Sequence, residues 1–106
     1  MIVTTIETIP DMRIKRVLGI VQGSTIRARH LGHAITAIFK NLTGGEITEF
    51  TKLMAESREQ CMDRMREEAV SLGANAIIGM RFTTSDVMQN ASEMLVYGTA
   101  VIIEDK

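Results

Sequence analysis

The stretch Leu72-Gly73-Ala74-Asn75-Ala76-Ile77-Ile78-Gly79-Met80-Arg81-Phe82 decides the fold. It closes a charged helical pattern and runs straight into an apolar strand. A second run, Met94-Leu95-Val96-Tyr97-Gly98-Thr99-Ala100-Val101-Ile102-Ile103, follows after a polar interval. Both runs are apolar at almost every position. Such strands belong to a sheet that needs cover from water on both faces. One helix layer supplies cover for one face only.

Working upstream, residues 46–72 carry Phe50, Met54, Cys61, Met65, Ala69 and Leu72 at helical spacing, with Ser57 in the gap and Leu53 and Met62 widening the stripe. At about 1.5 Å per residue this helix is roughly 40 Å long. Gly73 stands where a helix C-terminus takes a left-handed residue. Residues 31–42, with Leu31, Ile35, Ile38, Phe39 and Leu42, read as a short helix broken by Thr43-Gly44-Gly45. Residues 2–6 and 13–27 read as strands, separated by the Pro10-Asp11 turn signal. Gly19 and Gly23 inside the second strand suggest a bulge or a close backbone approach. Residues 76–84 and 93–104 are the third and fourth strands, joined by a wide loop over 85–92. The order β-β-α-α-β-β predicts one α+β domain over residues 1–106, a two-layer fold with an antiparallel sheet, one long helix and one short helix.

Composition agrees with a folded domain. Of the 106 residues 45 % are hydrophobic and 24 % charged. The aromatics are Phe39, Phe50, Phe82 and Tyr97, so eight Met and many Ile and Val must fill the core. Net charge is −1, unevenly spread: residues 1–45 hold six basic and two acidic groups (+4), residues 46–106 six basic and eleven acidic (−5). No aromatic interleaves Arg13, Lys15, Arg16, Arg27 and Arg29, which reads against nucleic acid as a partner. The basic part of one copy can instead meet the acidic part of another. The single Cys61 suits a reducing compartment. The N-terminus lacks the pattern of a signal peptide, and no apolar stretch reaches the length of a membrane span. The expected location is the cytoplasm, with no membrane partner.

The candidate chemistry is sparse. His30 and His33 stand three apart, a spacing that lets a helix bring two imidazoles to one metal. Two imidazoles are an incomplete site, and two polar residues at a helix start explain them as well. Cys61 is a soft ligand type, but it has no second thiol and lies on the apolar helix stripe, where a free Cys behaves as a small hydrophobe. Thr43-Gly44-Gly45-Glu46 could offer free backbone N–H groups to an anion, and reads better as a plain turn. Arg81, Asp86 and Glu93 are the ionisable groups in or beside the apolar hairpin. A charge in an apolar strand needs a partner, so an ion pair within the sheet or across a subunit boundary is expected; an acid/base pair is the sharper alternative. With Tyr97 they are the interface or ligand candidates. No catalytic triad, nucleotide fingerprint or acidic metal cluster is present in the sequence.

The chain resembles the YbjQ family over nearly its whole length. The likeness is carried by Thr5-Ile6, by Leu18-Gly19-Ile20-Val21, by Gly44-Gly45-Glu46, by Gly73 through Phe82, and by Tyr97-Gly98-Thr99-Ala100-Val101. The resemblance implies a small bacterial or archaeal cytoplasmic protein with a dodecin-like α+β fold. It also implies assembly as a ring, a pentamer. The family carries a heavy-metal-binding label, which meets a single Cys in this chain, and it supplies no catalytic residue to carry over.

Three functions follow. The first is a non-enzymatic, ring-forming binding or assembly module without a cofactor, whose partner is itself. The second is a heavy-metal-binding protein using His30, His33 or Cys61. The third is an enzyme with its site at a subunit boundary near Arg81, Asp86 or Glu93.

Overall fold

Four strands and one long helix make up the described residues, 1–27, 44–88 and 91–106, of the computed structural model. They are β1 (Ile2–Val3), β2 (Met12–Arg27), α1 (Gly44–Ser71), β3 (Ala76–Met88) and β4 (Ala91–Asp105). The expected short helix over 31–42 lies outside the described residues.

The strands form one sheet in the order β1-β3-β4-β2. β4 pairs antiparallel with both β2 and β3, while β1 pairs parallel with β3. The sheet is therefore mixed, not antiparallel throughout as the sequence suggested. The chain leaves the sheet after Val3 and re-enters at the opposite border as β2, so β1 takes the vacant side of β3 in parallel. The expected strand over 2–6 shrinks to two residues for the same reason. The wide loop expected over 85–92 is also largely paired: Ser85 faces Glu93, Asp86 faces Ser92 and Met88 faces Ala91.

One face of the sheet packs on α1. Cys61, Met65 and Ala69 of the helix are fully buried against Val21, Ile77, Val96 and Ala100, with Met54 and Met62 packed at the margin. Each fully buried side chain of the Val, Ile or Met class contributes roughly 1.5–3 kcal/mol. Leu72, expected on this stripe, is 45 % exposed. Gly73, at φ 85°, turns the chain away beside it. Gly73 N–H donates to Val70 O and Ala74 N–H to Ala69 O, the pair of bonds that closes a Schellman cap. The side chains of Phe50 and Leu53 lie outside the described set.

The helix and sheet meet backbone to backbone at Gly23. A Cβ there would sit 2.0 Å from the carbonyl oxygen of Cys61 and 2.7 Å from the nitrogen of Met65. Both obstacles are main-chain atoms of a regular helix and cannot swing aside. The bulge and the close approach expected of the two glycines are thus both present, at different positions: pairing slips around Leu18 beside Gly19, and Gly23 is the contact point.

The far face is partly covered by the chain itself, which the sequence did not anticipate. Residues 4–11 run along β3, held by Thr4 N–H on Ile77 O, Gly79 N–H on Ile6 O and Met80 N–H on Thr4 O. The chain then turns at Pro10-Asp11, where Met12 N–H returns to Ile9 O and Asp11 takes φ 65°. Ile9 and Met12 thereby roof a second cluster of Ala76, Ile78, Val101 and Ile103. This cover stops short of Val17 and Ile20, which remain 61 % and 76 % exposed.

Gly23→Ala is expected to cost about 3 kcal/mol or more, because the methyl group must lift α1 off the sheet. A urea titration followed by far-UV circular dichroism checks it; an unchanged midpoint would show that the helix does not rest on Gly23.

Candidate functional site

The motif that opens β3 has a structural explanation at Asn75. Its side-chain amide donates to Ile103 O at 2.9 Å, and its amide oxygen accepts from Ile103 N–H at 2.8 Å. Its own N–H donates to Val101 O. One side chain thus imitates a further residue of β3 and extends the ladder along β4. The amide matches because it carries one donor and one acceptor on the same group.

Arg81 is exposed. Its guanidinium donates to Thr5 O at 2.9 Å and to Met80 O at 2.8 Å. The sequence led to an ion pair within the sheet or across a subunit boundary; the contacts made within the chain are to main-chain carbonyls, and they tie down residues 4–11. Glu93 is half-buried opposite Ser85 on β3 and Ile26 on β2. Tyr97 faces Arg81 on one side and Gln22 on the other, on the far face of the sheet. The side chain of Asp86 lies outside the described set. The structure does not gather Arg81, Glu93 and Tyr97 into one pocket: along β4, Glu93 and Tyr97 are four residues apart. At the sheet's other end a cleft of about 400 Å³ has Ile9, Met12, Ile14, Ile78 and Ile103 as walls and Glu7, Arg13 and Lys106 at its rim. Arg13 in that rim is already engaged by Glu104 at 2.6 Å.

Cys61 is fully buried. Its sulfur lies 3.3 Å from Met94 O, to which the thiol donates, and 3.6 Å from Thr25 Oγ1. With the thiol proton on the carbonyl, the Thr25 hydroxyl donates to sulfur. Among the described residues no group of three or more His, Cys, Asp or Glu is placed to hold a metal ion. The described donor set does not fit a heavy-metal centre, since a soft metal needs clustered soft donors. His30 and His33 lie outside the described residues. Among the described residues no helix is long and apolar enough to cross a membrane.

What the described surface does offer is apolar. Val17 and Ile20 on β2 and Tyr97 on β4 share the uncovered part of the far face, by register with Val101, Thr99 and Gln22. Phe82, opposite Val96, stands on the helix face of β3 but lies beyond the reach of α1 and is 40 % exposed. Sequence reasoning missed which of these residues stay in water. Two slips in the β2–β4 register, at Lys15 and Leu18, shift the in/out alternation, and nothing in the apolar pattern marks them.

Among the described residues, a mixed four-stranded sheet with one long helix over one face defines the structural class, a two-layer α+β fold. The chain belongs to the YbjQ family: the family model described as "Putative heavy-metal-binding" matches residues 1–104. Relatives named UPF0145 protein include one from Hahella chejuensis, 49 % identical and covering 98 % of this chain and 100 % of the relative. Another, from Clostridium perfringens, is 52 % identical over 99 % of both chains. A third, from Thermus thermophilus, is 50 % identical over 97 % of this chain and 90 % of its own. Among solved structures, a protein of unknown function of the DUF74 family from Pediococcus pentosaceus matches with a TM-score of 0.63 at 18 % identity, over 98 % of each chain. That likeness shows the fold.

Asn75→Ala should cost about 1–2 kcal/mol through the loss of two hydrogen bonds. Asn75→Asp should cost at least as much, because a carboxylate oxygen then faces Ile103 O; denaturant midpoints measure both. Cys61→Ala should cost of order 1 kcal/mol or somewhat more. Titration calorimetry of the folded protein with Zn²⁺ and Cd²⁺ should show no tight stoichiometric site that disappears in Cys61→Ala; finding one would overturn the structural reading of the thiol.

Proposed function

We propose that this protein is a homo-oligomeric, ring-forming binding or assembly module of the cytoplasm, without catalytic activity of its own. The observation that carries the reading is the apolar surface a single chain leaves in water, led by Val17, Ile20, Tyr97 and Phe82. Two bulk quantities support it. The accessible surface of 6937 Å² exceeds the about 5,900 Å² expected of a compact monomer of this mass. The radius of gyration is 17.1 Å, against about 13 Å for a compact chain of this length. A slab of 55 × 27 × 18 Å buries too little of itself and has room for neighbours. The dodecin-like arrangement and the pentameric number come from the family resemblance. A location in the cytoplasm fits a single buried thiol.

The alternative of heavy-metal binding rests on the family label and on His30 and His33. The alternative of an enzyme at a subunit boundary rests on Arg81, Asp86 or Glu93; of these, Arg81 donates through Nη1 to Thr5 O and Met80 O. Neither alternative is favoured by a described contact.

Val101→Asp is unsuitable as an interface probe: Val101 points away from α1 but is fully buried beneath Ile9 and Met12. Ile20 is the proper position. Wild-type protein at micromolar concentration should sediment as an oligomer, and Ile20→Asp should release folded monomers of 11.7 kDa. Raising salt should weaken the assembly little, since buried apolar side chains contribute roughly 1.5–3 kcal/mol each and rim charges about 0–1 kcal/mol. A wild-type chain that stays a folded monomer in sedimentation equilibrium would refute the proposal.

A further inference from the structure

The N-terminal segment arches over one end of the far face between two main-chain anchors. Ile6 O accepts from Gly79 N–H on one side, and Asp11 O accepts from Lys106 N–H on the other. The turn at Pro10-Asp11 closes with Met12 N–H on Ile9 O. Between the anchors, Glu7 and Thr8 make no hydrogen bond to any described residue. The arch therefore stands off the sheet, and the space it spans is the cleft of about 400 Å³. That volume falls within the range of small-molecule sites.

The lining divides by chemistry. Ile78 and Ile103, 8 % and 7 % exposed, form an apolar floor, with Ile9, Met12 and Ile14 around it. Ile14 remains 40 % exposed although it stands opposite Ile103 in the ladder. The rim is charged. Arg13 is engaged by Glu104, so its charge is already answered. Glu7 and Lys106 are exposed, and neither side chain has an ion pair or hydrogen bond among the described residues, with each other or with any third group. One carboxylate and one ammonium thus stand unpaired at the mouth of an apolar cleft, with the Thr8 hydroxyl beside them.

This combination selects among ligands. A simple carboxylate would meet Lys106 but also face Glu7, and a simple amine would meet Glu7 but also face Lys106. A zwitterion answers both charges at once. We propose that the cleft binds a free α-amino acid with an aliphatic side chain. The side chain lies on Ile78 and Ile103, the α-ammonium meets Glu7, and the α-carboxylate meets Lys106 and the Thr8 hydroxyl. Exposed ion pairs are individually weak, so apolar burial supplies most of the affinity and the two charges supply the selection. The site lies wholly within one chain, and its test is therefore distinct from that of the oligomer.

Titration calorimetry of the whole chain with L-leucine should show one saturable site per chain. Isocaproate lacks the ammonium and isoamylamine lacks the carboxylate, and each should bind about fivefold more weakly. Glycine has no aliphatic tail and should not bind detectably. Glu7→Gln should erase the preference for L-leucine over isocaproate, and Lys106→Gln the preference over isoamylamine. Both positions are exposed, so neither substitution threatens the fold. Amide chemical shifts should move at residues 7–14 and 103–106 on adding L-leucine. No saturable binding of L-leucine overturns the site. Equal affinity of the wild type for L-leucine, isocaproate and isoamylamine overturns the zwitterion, as does a preference that survives both substitutions. Shift changes confined to other residues place the ligand elsewhere and overturn the cleft.

Discussion

The backbone contact between Gly23 and the Cys61–Met65 turn of α1 is the constraint on which the rest of the structure depends. A strand and a helix can approach this closely only where neither presents a side chain. The approach seats Cys61 between Thr25 and Met94, and it presses Met65 and Ala69 onto Val21, Val96 and Ala100. It also centres α1 over β2 and β4, leaving the Phe82 end of β3 outside its shadow. The exposure of Phe82 is thus a consequence of where Gly23 lies.

The far face follows a different logic. No helix among the described residues reaches it, so the chain spends its N-terminal segment on the end nearest Ala76 and Ile103. Arg81 and the main-chain bonds of Thr4, Ile6 and Thr5 hold that segment down, and Asn75 secures the start of β3 beneath it. The GANA-containing motif, the most conspicuous in the sequence, is thereby accounted for by backbone satisfaction. The Arg81 side chain, a candidate from the sequence, and the Asn75 amide both bond main-chain groups. The other end of the face, around Val17, Ile20 and Tyr97, has no such roof among the described residues.

These facts bear on function together. The family's heavy-metal label has no matching donor cluster among the described residues, and its one thiol is held inside the core by two hydrogen bonds. The surface features that do stand out are apolar side chains and open strand edges. Both are handled in natural proteins by covering them.

The sequence by itself determined the elements and one face of the core. Periodicity placed α1 within two residues of its observed bounds, and it correctly put Cys61, Met65 and Ala69 inside, because a helix has a fixed period that no tertiary contact alters. Gly73 was legible as a cap for the same local reason. Only the tertiary structure decided the rest. The parallel seat of β1 depends on where the chain re-enters the sheet, which local pattern does not encode. The slips at Lys15 and Leu18 put Val17 and Ile20 on one face and Val21 on the other, and an apolar run reads alike in either phase. Val101 and Ile20 looked equivalent as apolar strand residues; one is buried and the other exposed because residues 4–12 fold over one end of the sheet and not the other. Burial on a strand with two apolar faces is set by what lies across from it, and that is a property of the whole fold.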